Sequence, residues 1–317
     1  MSSKNLGKNL KEAKKNKQDE FYTQLEDINK ELQYYKKHFK NKVVYCNCDD
    51  PRVSNFFNYF ALNFEHLGLK KLITTCYKNQ DWNLFSTEKS ESAVFLEYEG
   101  DKNNNKAPDP EEIGVHHLKG DGDFRSEESI ELLKQADIVV TNPPFSLFRE
   151  YVDQLVKYDK KFLTIGNVNS ISYRNCFEYI KSNKMWLGYN TVRHFQKPDG
   201  SMYETARSFW YTNLDINKRH EDLILYKKYI KDDYPKYDNY DAINVDKAKE
   251  IPIDYEGLMG VPITFLDKHN PDQFEIVDGI GRYSMLTGPT EETKGKYLTM
   301  VDGKPKFARV IIRNKRL

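Results

Sequence analysis

The sequence predicts an α/β protein: a doubly wound, mostly parallel sheet through the first two-thirds of the chain, then a smaller irregular α+β region. Three observations predict it. Short apolar runs rich in Val, Ile and Thr recur at crossover-length spacing, at 43–48, 72–77, 137–141 and 162–165. The segments between several of them place apolar residues at three- and four-residue steps, as on one face of a helix. Beyond about residue 195 the apolar runs (208–212, 261–266, 274–277, 307–312) are short and separated by long polar loops rich in Pro, Gly, Tyr and Lys.

Residues 1–18 carry Lys4, Lys8, Lys11, Lys14, Lys15 and Lys17 against one acid, Glu12, and read as a flexible basic arm, suited either to solubility or to phosphate contact. From Asp19 the pattern turns helical, with Leu25, Ile28, Leu32, Tyr35 and Phe39 on one face. Val43 to Cys48 is a strand ending in the polar loop Asp49-Asp50-Pro51. Phe56, Phe57, Tyr59, Phe60 and Phe64 then give an aromatic helix face, and Leu72 to Tyr77 a second strand. Residues 99–112 are polar and turn-rich, a surface loop between short strands at Ala93–Tyr98 and Val115–Leu118. A helix follows over Ser129–Gln135, then a buried strand Asp137–Thr141, Asn142-Pro143-Pro144-Phe145, an amphipathic helix through Val156 and a strand Phe162–Ile165.

Composition bounds what the chain can be. Its 317 residues are enough for two domains. A mean hydropathy of -0.79 taken alone suggests disorder, but 22 Tyr, 18 Phe and 3 Trp make a core built largely from rings. The 49 basic and 48 acidic residues leave a net charge of +1, so an anionic partner must be met by local patches. No apolar run is long enough to span a membrane, the N-terminus has no signal-peptide core, and Cys46-Asn47-Cys48 suits neither a disulfide nor a zinc knuckle. The expected home is the cytoplasm, with reduced cysteines.

The chemistry is concentrated in Asn142-Pro143-Pro144-Phe145, directly after a buried strand. Ligands of parallel sheets bind outside the carboxyl ends of strands. Two prolines there stiffen the backbone and remove two N–H donors. What remains is a rigid acceptor pair, the Asn142 side-chain oxygen and the Pro143 carbonyl, beside the Phe145 ring. Such a pair suits an exocyclic amino group on a nucleobase. Accepting both N–H hydrogens returns electron density to a nitrogen otherwise delocalised into the ring, and the amine can then attack a methyl group on a sulfonium. Phe145 would stack on a base flipped out of the duplex. The bland alternative is a rigid turn closed by a core phenylalanine.

The strand–NPPF unit resembles the catalytic motif of amino-group methyltransferases that use S-adenosylmethionine. The wider text is similar to the EcoRI-type adenine-specific DNA methyltransferases, through Asp19 to Gln24 (DEFYTQ), Val44 to Phe57 (VYCNCDDPRVSNFF), Gly122 to Ser126 (GDFRS), NPPF, and Val261 to Asp267 (VPITFLD). The resemblance implies a Rossmann-like methyltransferase domain over 19–195 and a target-recognition, DNA-binding region over 196–317. It implies that Phe21, Tyr22 and Thr23 hold the methionine end of S-adenosyl-L-methionine, that Asn47, Asp49 and Asp50 form the first-strand cofactor loop, and that Asp123 accepts from the cofactor's adenine amine while Phe124 packs on its ring. Two departures are plain: the first-strand loop lacks the usual glycines, and no acid follows Leu72–Tyr77 to bind the ribose.

For double-stranded DNA, the expected phosphate contacts are Lys304, Lys306, Arg309, Arg313, Lys315 and Arg316, with Lys218, Arg219, Lys227, Lys228, Lys231 and the interleaved Tyr226, Tyr229, Tyr234, Tyr237 and Tyr240. No His, Asp or Glu spacing resembles a metal site, and Ser54 and Ser146 lack the glycines of a hydrolase elbow. The reading is a monomeric adenine N6 methyltransferase that acts on a short palindrome such as GAATTC and protects it from a matching nuclease. Its rivals are the same chemistry on RNA or a protein glutamine, and a DNA-binding protein that has lost catalysis.

Overall fold

The computed structural model describes residues 22–48, 55–75, 93–105, 108–109, 111–197, 200–281, 291, 294, 296 and 298–317. They fall into two compact units, Met1–Val168 with Gly188–Leu214, and Asn169–Leu187 with Asp215–Leu317. The basic arm, Phe21, Asp49 and Asp50 lie outside the described residues.

The first unit is built on a nine-stranded sheet. Its strands are β1 (Tyr22–Thr23), β2 (Val43–Asn47), β3 (Lys71–Thr75), β4 (Val94–Tyr98), β5 (Ile113–His117), β6 (Ile138–Thr141), β7 (Lys161–Asn167), β8 (Trp186–Gln196) and β9 (Met202–Thr212), in the order β1-β8-β9-β7-β6-β2-β3-β4-β5. The central pairs β2–β3, β2–β6 and β6–β7 are parallel. The flanks differ from the expected, mostly parallel sheet: β3–β4, β4–β5, β7–β9 and β1–β8 are antiparallel, so the sheet is mixed. For β4–β5, and for the β8–β9 hairpin, the reason is connection length. A parallel neighbour needs a crossover of a dozen or more residues, usually helical. The β8–β9 connection spans five residues, with Lys197 N–H donating to Ser201 O at 2.9 Å, and among its described residues the 99–112 loop contains no helix.

The helices follow the apolar periodicity. They are α1 (Leu25–Leu32), α2 (Lys36–Phe39), α3 (Asn55–Leu62), α4 (Phe64–Leu67), α5 (Glu127–Gln135) and α6 (Phe148–Lys157). The expected helix from Asp19 is shorter at its start, where Tyr22–Thr23 joins the sheet, and is broken at Gln33–Tyr35. Ser126 caps α5 by accepting from Ser129 N–H at 3.2 Å, and Glu127 and Glu128 favour that end of the helix dipole. Helix α6 buries Phe148, Tyr151, Val152 and Leu155, one stripe at helical spacing. Phe148 fills the space over Gly166 in β7, where any Cβ would overlap its ring.

Buried threonines tie neighbouring strands near their carboxyl ends. Thr74 donates to Cys46 O at 2.8 Å, Thr164 to Thr141 O at 3.1 Å, and Thr141 to Asn47 O. Each hydroxyl is fully buried and would cost free energy unpaired. These bonds set the ends of β3, β2, β6 and β7 along one edge of the sheet, where the candidate site lies.

The run Ser208–Thr212, expected in the second region, is the end of β9 and belongs to the first unit's sheet; the division expected at 195/196 runs through the β8–β9 hairpin. The second unit contains α7 (Arg174–Lys181) and the strands β10 (Ile243–Asn244), β11 (Met259–Pro262), β12 (Phe274–Ile280), β13 (Met300–Val301), β14 (Lys304–Pro305) and β15 (Arg309–Asn314). Four form a small sheet, β10-β11-β15-β12, with Phe274, Val310, Ile311 and Ile312 buried. Strands β13 and β14 form a separate hairpin turned at Asp302 and Gly303, both at positive φ, whose amides donate to the Asp238 carboxylate at 3.0 Å. Among the described residues, no helix is long and apolar enough to cross a membrane, and no group of three or more His, Cys, Asp or Glu is arranged to hold a metal ion.

Candidate active site

Asn142 follows the last residue of β6, so the parallel strand delivers it to the sheet's carboxyl edge. Asn142 is 6% exposed and Pro143 is buried. From Pro144 the chain bends into a 3-10 turn, Phe145–Leu147, closed by Leu147 N–H to Pro144 O at 2.9 Å, and runs into α6. The Phe145 ring stays half-buried and meets Phe195 of β8 edge to face, centroids 5.7 Å apart. Phe195 is fully buried and pairs in antiparallel register with Thr23 of β1. The Thr23 carbonyl in turn accepts from Asn55 Nδ2, at the start of α3, at 2.7 Å.

Motifs 120 residues apart in the sequence thus meet through one ring that sequence reasoning missed. A faint signal was present. The stretch Trp186–Phe195 mixes aromatic, small and charged residues without clean alternation, because both faces of β8 are partly covered.

Thr23 is 2% exposed, and its hydroxyl oxygen is buried with no hydrogen-bond partner among the described residues. Tyr22 is half-buried beside it.

Asn47 ends β2 and is buried, and its side-chain oxygen accepts from the hydroxyl of Tyr151 on α6. That hydroxyl sits on a ring packed edge to face against Phe124 at 5.1 Å. Asn47 thereby joins β2 to α6, and Tyr151 supports the Phe124 ring.

Asp123 receives Arg125 through the backbone amide at 2.8 Å, Nε at 2.9 Å and Nη2 at 2.6 Å, and Arg125 also reaches Glu150 at 3.0 Å. Partial burial alone would raise the Asp123 carboxyl, but the Arg125 hydrogen bonds and charge outweigh it and hold the group below its ordinary range. It is therefore a carboxylate at neutral pH, an acceptor-only group next to an aromatic ring.

In the second unit, most of the basic run expected to meet phosphate is engaged internally. Arg309 is 6% exposed, donates to the carbonyls of Phe307 and Ala308 and lies 3.4 Å from Asp246. Arg316 grips Asp222 with two bonds of 2.7 Å, and Lys315 donates to Pro271 O at 2.7 Å. Lys306 and Arg313 lie 3.5 and 3.7 Å from Asp246 and Glu275. The acids were invisible as partners because they sit 38 to 94 residues upstream. Lys218 pairs with Asp267 at 2.6 Å, and the Arg219 guanidinium lies 3.7 Å over the Trp186 ring. Tyr234 and Tyr237 are buried, whereas Tyr226, Lys228, Lys231 and Lys304 are exposed.

A large sheet with parallel central strands, carrying an Asn-Pro-Pro-aromatic turn at the carboxyl end of one of them, is consistent with a methyltransferase fold. The chain belongs to the family of EcoRI adenine-specific methyltransferases, whose profile matches residues 9–315. That membership makes it a site-specific DNA methyltransferase acting on adenine. It is 51% identical to the type II methyltransferase M.EcoRI of Escherichia coli, over 100% of this chain and 99% of that protein. It is 39% identical to the type II methyltransferase M.MgeORF184P of Mycoplasma genitalium, over 96% of this chain and 98% of the relative. M.MpnI, a type II methyltransferase of Mycoplasma pneumoniae, is 38% identical over 96% of this chain and 97% of its own length. No solved structure matches the chain.

Proposed function

We propose that this protein transfers a methyl group from S-adenosyl-L-methionine to N6 of an adenine flipped out of double-stranded DNA. The substrate would be a short palindrome such as GAATTC, protected thereby from a matching nuclease, and the enzyme would work as a monomer. The observation that carries the reading is the NPPF turn at the end of β6, buttressed by Phe195.

The groups present fit the cofactor. The unsatisfied Thr23 hydroxyl is a buried acceptor for the methionine end, with Tyr22 beside it and Phe21 next in sequence, while Asp49 and Asp50 follow Asn47 just beyond the end of β2. The Asp123 carboxylate is an acceptor for an adenine amine, and the ring of Phe124 next to it, 5% exposed, supplies an apolar wall. Asn47 acts one step back, by holding Tyr151 and through it Phe124. Bound there, S-adenosylmethionine supplies a methyl group activated by a positive sulfur.

The remaining chemistry falls to the chain. Asn142 Oδ1 and the Pro143 carbonyl accept the two hydrogens of the adenine amino group and hold it in the pyramidal geometry of an attacking amine. Pro144 keeps that acceptor pair rigid, so little reorganisation is needed during transfer. Phe145 stacks on the base, worth about 1–3 kcal/mol, and Phe195 keeps the Phe145 ring in place. The methylated nitrogen is acidic enough to lose its proton without a strong base. The second unit, with its exposed Tyr226, Lys228, Lys231 and Lys304, is assigned to target recognition.

The test is expression in a host lacking adenine methylation, with digestion of the genomic DNA to nucleosides for mass spectrometry. N6-methyladenine that appears with this chain and vanishes with Asn142→Ala is the expected result. Transfer of tritiated methyl to duplex DNA, RNA and protein side by side gives the contrary outcome: label in protein or RNA alone overturns the reading.

A further inference from the structure

The β8–β9 hairpin outruns the sheet it belongs to. Strand β9 pairs with β7 only from Ser208 to Thr212, with Asn167, the last residue of β7, opposite Ser208. Residues 202–207 therefore run past the carboxyl end of β7. At the strand rise of about 3.3 Å per residue this is a projection of roughly 20 Å, on the edge that carries the NPPF turn. The projection is braced. Thr23 and Tyr22 of β1 pair with Phe195 and Gln196 on its outer side, and Phe195, opposite Tyr203 near the tip, packs on Phe145.

The hairpin's surface is chemically uneven. Met202 is 57% exposed and Tyr203 38%, two large apolar groups on opposite faces of the ribbon at its tip. Lys197 sits 5.3 Å over the Tyr203 ring, and Arg193 and Arg207 are exposed along the two strands. His194 and Glu204 face each other across the strands at 4.0 Å. A two-stranded β-ribbon fits a duplex groove, cations contact phosphates, and an apolar side chain inserted at a base step unstacks it.

We infer that the β8–β9 hairpin enters the DNA groove beside the target adenine. Arg193 and Arg207 contact the flanking phosphates, and Met202 and Tyr203 pack against the base stack at the position the flipped adenine leaves. The inference rests on the base-flipping reading above. It assigns the opening of the duplex to residues separate from those that hold the amino group.

The test compares wild type with a Met202→Ser/Tyr203→Ser double variant on two duplexes carrying the mapped methylation site. In one the target adenine is paired, and in the other it lies opposite an abasic site, where it is already loosened. The variant is expected to bind cofactor and melt like wild type. It methylates the paired duplex slower by about tenfold to a hundredfold, the scale of losing a base-stacking contact, and recovers on the abasic-opposed duplex. Undiminished methylation of the paired duplex overturns the inference, and so does an equal loss on both duplexes, which marks a merely structural role. Arg193→Ala and Arg207→Ala are each expected to lower the salt slope of DNA binding by about one. An unchanged slope in both overturns the placement in the groove. If wild type leaves both duplexes unmethylated, the base-flipping reading itself falls.

Discussion

Phe195 meets Phe145 edge to face at 5.7 Å, and in the next strand it pairs with Thr23, so one buried ring joins the amino-group motif to the N-terminal motif. Phe195→Leu keeps most of the volume but removes the ring–ring geometry, worth about 0.5–1.5 kcal/mol beyond area burial. The expected variant is folded, binds cofactor near normally and turns over several-fold more slowly on duplex DNA. Phe195→Ala, by contrast, leaves a core cavity and loses about 3–5 kcal/mol of stability. Thermal melting with single-turnover methylation separates the two effects; an unchanged rate in the leucine variant rejects the positioning role.

Asn142→Ala removes one of the two side-by-side acceptors. Loss of a preorganised polar group at a reacting centre typically costs about a hundred- to a thousandfold in rate. Methyl transfer should fall at least that far while cofactor affinity, read by calorimetric titration, stays within a few-fold. Near-normal turnover would sink the acceptor role.

Asp123→Asn keeps the shape of the acceptor but removes its charge and half of its grip on Arg125. Hydrogen bonds to a charged acceptor contribute about 1.5–3 kcal/mol, so cofactor affinity should weaken by about ten- to a hundredfold. The Asp123 carboxyl is held below its ordinary range by Arg125, against the opposing effect of burial. A depressed carboxyl contributes stability that is complete above its unfolded pKa and is lost as pH falls through the folded one. Wild-type stability and cofactor binding should both decline through that acidic window. If Asp123→Asn shows the same decline, the assignment fails.

Glu31 tests the opposite sign. It is fully buried in α1 and receives Tyr35 OH, Tyr189 N–H and Asn190 N–H at 2.8 Å and Asn190 Nδ2 at 2.9 Å. Gly188 lacks the Cβ that would collide with it. Burial raises its carboxyl above the ordinary range despite these donors. Stability from such a group is fully present below the unfolded pKa and is lost as pH rises through the folded one. Glu31→Gln should remove that component and cost about 1–3 kcal/mol, because an amide hydrogen then faces buried donors. Melting temperature against pH for both proteins reads the effect; parallel curves would disprove it.

DNA binding should weaken steeply as salt rises between about 50 and 200 mM, since phosphate contacts release counterions. The internally paired cations contribute less than the exposed ones. Arg316→Ala should therefore change stability by breaking its grip on Asp222 and leave the salt slope nearly unaltered. A slope that drops as far as for Arg193→Ala would return the C-terminal run to the DNA interface.

Local patterns were enough for much of this protein. The strands β2, β3, β6 and β7 are short Val/Ile/Thr-rich runs, helix α6 is an apolar stripe, and the NPPF turn is a four-residue word whose stiffness follows from two proline rings. These depend on neighbours in the chain and are legible there. Tertiary structure decided what distant residues do to one another. Short connections folded β4–β5 and β8–β9 back as hairpins, strand pairing set Phe195 against Thr23, and packing set it against Phe145. Asn47 was drawn into a bond with Tyr151, and acids far upstream neutralised most of a C-terminal run that reads as a free basic patch. Each outcome depends on which groups burial brings within a few ångströms. That distance is set by the closed fold, where an unpaired charge or polar group is costly, and not by separation along the chain.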